Sequence, residues 1–146
     1  MNALHQSNRP GVLGIIAAAV LSLAACSAIP YGNRINVTFS GDQEVPAVKT
    51  SASGSGTITI NADKSVGGSI TTAGVAGTMA HIHIAAAGKN GPVIVPMFKS
   101  GDNTWSFAAG AKLTDAQYEA YKAGDLYINV HSAEHKGGEI RGQLKP

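Results

Sequence analysis

Cysteine is almost missing from this sequence: its 146 residues include one, Cys26. A single thiol cannot form an intrachain disulfide, so the fold must be held by core packing, with or without help from a ligand. Charge is also sparse, at 14% of residues, and nearly balanced, with 11 Lys and Arg against 9 Asp and Glu. Nucleic-acid binding requires a clustered basic face, so that function class is set aside. There is one long apolar run, Val12 to Leu23. It is too short to cross a hydrocarbon core that takes about 20 helical residues, and no second run follows it, so no transmembrane helix is expected. The chain has no Gly-x-Ser-x-Gly elbow, phosphate loop or Cys–His arrangement, and Ser132 beside His131 does not make a hydrolase. It has no internal repeat and no long low-complexity stretch.

The residues before Cys26 have the layout of a secretory signal: a polar start carrying Arg9, the apolar run, then the small residues Ala24 and Ala25. Leu23-Ala24-Ala25-Cys26 resembles the site cut by lipoprotein signal peptidases. The expectation is a signal peptide over 1–25, thioether lipidation of Cys26 and a tether over 26–34. An ordinary secretory signal would instead leave a lone thiol in an oxidising compartment. The protein is then exported and held by its N-terminal lipid on the periplasmic or surface face of a bacterial membrane, multiple acyl chains giving a stable anchor. Loss of Arg9 leaves ten basic residues against nine acidic ones.

From Ile35 onward, short segments alternate apolar and polar residues between Gly, Asn, Asp and Pro. Ile35 to Phe39 and Gly56 to Ile60 show the two-residue period of half-buried strands. Further strands are expected at 68–72, 78–85, 92–98, 104–108, 126–130 and 138–144. One segment departs from this period: Thr114 with Gln117 three residues later forms a capping box, good helix formers follow, and Gly124 ends the run. The predicted fold is all-β, an antiparallel Greek-key-like β-sandwich of about eight strands with one short α-helix, filling one domain over 35–146.

Outside the signal segment the histidines fall into two pairs, His81 with His83 and His131 with His135. Residues two apart on a strand share a face, so His81 and His83 project together while Ile82 and Ile84 turn to the core. His131 closes a strand and His135 sits in the turn after it. If the two strands are neighbours, four imidazoles converge, a donor set suited to copper, with zinc as the alternative. Met79 shares the face of His81 and His83, and its thioether favours Cu(I); Met97 is a weaker candidate of the same kind. Glu44, Glu134 and Glu139 lie near these segments and can orient a histidine. Glu139 and Arg141 share a face of the last strand, where they can form a surface ion pair or bind a neighbouring loop. The competing explanation is that the histidines cap strand ends by bonding turn carbonyls.

Several segments together resemble the CHRD domain, the chordin-type family. They are Ser40 to Pro46, His81-Ile82-His83 followed by Gly88 to Val93, Tyr127 to His131, and Gly138 to Leu144, and they span Phe39 to Leu144. In chordin this domain accompanies modules that bind growth factors, so the resemblance implies a fold more than an activity. The His-x-His strand is also similar to that of Cu,Zn superoxide dismutase, but the dismutase's zinc-loop histidines and its disulfide cysteines have no counterparts here. The expectation is a metal-binding lipoprotein, not an enzyme, with His81, His83, His131 and His135 as copper ligands and Met79 as a further candidate. Glu44, Glu139 and Arg141 would support them, and the partner would be a protein that donates or accepts the metal. The alternative is an adhesion or protein-binding module that uses a loop such as Gly88 to Pro92.

Overall fold

The structure, a computed structural model, describes residues 33–146; the expected signal peptide, Cys26 and nearly all of the tether lie outside them. Eight strands form, each where an alternating segment stands: β1 (Asn33–Ser40), β2 (Ser53–Ile60), β3 (Val66–Ala73), β4 (Gly77–Ile84), β5 (Val93–Gly101), β6 (Thr104–Phe107), β7 (Leu126–Ser132) and β8 (Ile140–Leu144). One helix, α1 (Asp115–Lys122), lies between β6 and β7. Its capping box is complete: the Thr114 hydroxyl accepts from the Gln117 amide while the Gln117 side chain accepts from the Thr114 amide.

All pairings are antiparallel, in the order β1-β2-β3-β6-β5-β4-β7-β8, and β8 returns to β1. The expected sandwich is therefore corrected to a closed barrel, while the Greek-key element is present in the order β3-β6-β5-β4. The physical reason lies at the seam. Gly142 faces inward on β8, where an added Cβ would stand 2.6 Å from Val37 Cγ2 and 2.7 Å from the Thr38 carbonyl. Only glycine lets β8 come that close to β1, so the sheet closes on itself instead of splitting into two layers.

Inside the barrel, Ile35, Val37 and Phe39 meet Ile58, Ile60, Ile70, Ile82, Trp105, Phe107, Ile128 and Ile140, all buried. Leu113 and Tyr121, from the segment that carries α1, are buried with this core, and so is Val75 in the short β3–β4 connection. Two β-bulges interrupt β4 near its histidines, one between Gly77 and Met79 against β7 and one between Ile82 and His83 against β5. Such irregularities re-aim side chains next to functional sites.

Candidate metal centre

Strand β7 departs from the expected alternation, because all seven of its residues are buried. Leu126, Ile128 and Val130 point into the barrel, as the period requires. Tyr127, Asn129 and His131 point outward and are buried too, under the β1–β2, β4–β5 and β7–β8 loops. Two of those loops meet over this face, where Asn90 Nδ2 donates to the Val45 carbonyl. The outer faces of β4, β7 and β8 thus form a second, polar core.

Register places His81 opposite Asn129, His83 opposite Tyr127 and Met79 opposite His131. The imidazoles of His81, His83 and His131 converge, with one nitrogen from each within 4.8 Å of the others. His81 Nδ1 and His131 Nε2 are 3.2 Å apart. The remaining ring nitrogens define the tautomers. His83 Nδ1 is 2.9 Å from the Gly91 carbonyl and His131 Nδ1 is 2.9 Å from the Lys136 carbonyl. A carbonyl only accepts, so both Nδ1 atoms carry hydrogen and both Nε2 atoms present lone pairs. His83 Nε2 is buried without a hydrogen-bond partner. Because His131 Nε2 is an acceptor, His81 Nδ1 donates to it; moving that proton to His81 Nε2 frees a third lone pair.

The electrostatics favour the neutral forms of His81 and His83. Burial lowers the His81 pKa, and the neighbouring His131 and His83 lower it further. Burial is also the main cause of the lowered His83 pKa; His131 and Arg141 add to it, against the raising effect of the bond to the Gly91 carbonyl and of the nearby Asn129 amide. Arg141, only 1% exposed, places its guanidinium 3.5 Å from the Tyr127 ring centroid. Tyr127 in turn stacks on His83 with centroids 4.8 Å apart and planes 10° from parallel. Arg141 donates to the carbonyls of Lys89 and Ala86 and to the side-chain oxygens of Asn90 and Gln143. The stack fixes the His83 ring plane from behind.

The structure brings together three of the four predicted histidines. His135 lies in the β7–β8 turn, outside this group, with its amide bonded to Ser132 Oγ. Met79 is on the predicted face and 49% exposed, whereas Met97 is in the barrel core. Glu44 is buried beside Asn129 and Arg141, and burial raises its pKa to about 7, against the lowering effects of Arg141, Asn129 and the Val45 amide. Glu139 is buried but accepts from Thr50 Oγ1 at 2.8 Å, and Glu134 is exposed. Of the two roles expected of Glu139 and Arg141, the surface ion pair does not form: both are buried, and no ion pair among the described residues includes either. Arg141 does bind a neighbouring loop, at Ala86, Lys89 and Asn90. The Gly88–Pro92 loop covers the polar core, with its Gly91 carbonyl holding His83. Sequence reasoning missed Tyr127, Asn129 and Gln143, although Asn129 and Gln143 stand two residues, and Tyr127 four, from a predicted site residue on the same strand.

An eight-stranded antiparallel barrel with a histidine cluster on its outer face defines the class of protein. The CHRD domain family model matches residues 35–144, and the chain belongs to that family. Neither the curated proteins nor the solved structures contain a match to it.

Proposed function

We propose that this protein is an exported, lipid-anchored metal binder that holds copper at His81, His83 and His131 for buffering or delivery. The observation that carries the proposal is the convergence of three imidazole nitrogens within 4.8 Å, with two of the rings pinned by carbonyls so that a lone pair faces the cluster. Nitrogen–metal bonds of about 2.0–2.1 Å place ligand atoms about 3.3–3.6 Å apart in tetrahedral or trigonal sites. The 3.2 Å His81–His131 separation is already close to that spacing. Among first-row divalent ions offered to imidazoles, Cu(II) binds most tightly, ahead of Zn(II). The residues supply ligands and no catalytic group, so the role is to hold and pass on the ion. Cys26 would attach the chain to its membrane and leave the barrel free to meet a metal donor or acceptor.

The test is titration of the purified chain with Cu(II), Cu(I) and Zn(II), with heat and melting temperature followed together. One ion per chain should raise stability by about 2.7 kcal/mol at a hundredfold excess over Kd, roughly 10 °C in Tm for a domain of this size. His83→Ala combined with His131→Ala should abolish uptake and leave a folded apo barrel. A folded wild type that takes up no ion would refute the proposal. It would turn attention to the half-exposed Met79, Val93 and Phe98 as a surface for a protein partner.

A further inference from the structure

Met79 is an apolar side chain standing in solvent beside the cluster. Met97, the other methionine of the barrel, is 8% exposed and fills core space as thioethers commonly do. Met79 has no such packing role. It stands directly opposite His131 across the β4–β7 ladder, and directly opposed residues hold their Cβ atoms about 4.5–5.5 Å apart, within reach of a long flexible side chain.

The backbone is arranged to keep it there. Gly77 pairs with Ser132 and Met79 with His131, so Thr78 is an extra residue in β4, and its hydroxyl donates to the His131 carbonyl at 3.2 Å. Without that bulge, Gly77 would share the outward face of Met79, His81 and His83. Instead Gly77 turns inward, where an added Cβ would come within 3.0 Å of Trp105 and Val130. The bulge reconciles a core-facing glycine with an outward methionine. The other sides of the cluster are closed, since loop carbonyls hold His83 and His131. The open side is at His81, the least buried of the three, two residues from Met79. Phe98, also 49% exposed, falls opposite Met79 one step along from the Ala80–Met97 pair, so the opening has an apolar rim.

We propose that Met79 is the fourth ligand of the cluster when the ion is Cu(I), its thioether sulfur closing the solvent side. The assignment rests on the copper site proposed above. Soft thioether donors favour Cu(I), while imidazoles serve Cu(I), Cu(II) and Zn(II) alike. Met79 therefore makes the affinity depend on oxidation state and lets the site retain the ion in its reduced form.

The test compares the chain with its Met79→Leu variant, both carrying Cys26→Ser so that no thiol contributes sulfur. Each is titrated anaerobically with Cu(I) against bicinchoninate, and with Cu(II) and Zn(II) against a competing chelator. Met79→Leu should weaken Cu(I) binding about tenfold or more, leave Cu(II) and Zn(II) within about twofold, and remove a sulfur scatterer from the X-ray absorption spectrum of the Cu(I)-loaded protein. Equal Cu(I) affinities, or a spectrum with nitrogen ligands only, would overturn the role of Met79; Cu(II) or Zn(II) saturating at one ion per chain would then leave the three-histidine site intact. A folded protein that takes up none of the ions would overturn both.

Discussion

Glu44 gives the sharpest test of how the polar core is built. It follows a single 3-10 turn, Gly41–Gln43, and its amide bonds back to the Gly41 carbonyl. Its side chain is 6% exposed, and its Oε1 has no hydrogen-bond partner. Burial raises its pKa from an ordinary 4.5 to about 7, even with Arg141 and Asn129 nearby. Between those two values the folded chain keeps a proton that the unfolded chain has lost, so raising the pH through this window removes stability. The neutral mimic Glu44→Gln avoids that loss. At pH 8 the variant should be more stable than wild type by about 3 kcal/mol, from 1.36 kcal/mol per pKa unit, and at pH 5 by less than about 1 kcal/mol. The depressed histidines run the other way, losing stability as pH falls below the usual 6.5, but they are common to both proteins and cancel in the difference. Urea unfolding followed by Trp105 fluorescence at several pH values, in chelator, measures the gap. A gap that does not change with pH, or a variant less stable at pH 8, would refute this account of Glu44.

Two further substitutions test the seam and the stack. Gly142→Ala places a methyl group against Val37 and the Thr38 carbonyl; it should cost about 1–3 kcal/mol and lower the melting temperature read by circular dichroism. Arg141→Lys keeps the charge but loses the planar fork that bonds four oxygens and lies on Tyr127. It should cost about 2–3 kcal/mol in urea unfolding, since several buried acceptors lose their donors together.

All eight strands were legible in the sequence because each buries one face and therefore alternates, and α1 was legible because its cap has its own signature. Closure of the barrel was not legible. A sandwich and a barrel share the same strand patterns, and the difference rests on how near Gly142 lets β8 approach β1. The His81–His83 pair followed from the two-residue period. His135 fails to join because the strand ends at Ser132, and past that point the period no longer says where a side chain goes. Tyr127 and Asn129 were not picked out for a related reason. No local pattern announces that loops from distant parts of the chain will cover the outward face they share with His131.

That covering explains what kind of ligand the site suits. The loops bring backbone carbonyls to a face rich in side-chain donors: Arg141 bonds to Lys89 and Ala86, Gln143 to Ala85 and Gly124, Asn129 to Gly137, and the two histidine Nδ1 atoms to Gly91 and Lys136. The donors of these groups are met. The buried atoms of this layer left without partners are His83 Nε2, Glu44 Oε1 and Asn129 Oδ1, and each of them is an acceptor. An anion would add to that surplus. A cation, or the protonation of Glu44, relieves it, since buried acceptors carry a desolvation cost until something positive or protic meets them. The protonation side of that balance is seen in the raised pKa of Glu44. The other side falls on His81 and His83, whose lowered pKa values disfavour a proton and leave their lone pairs free for a metal ion.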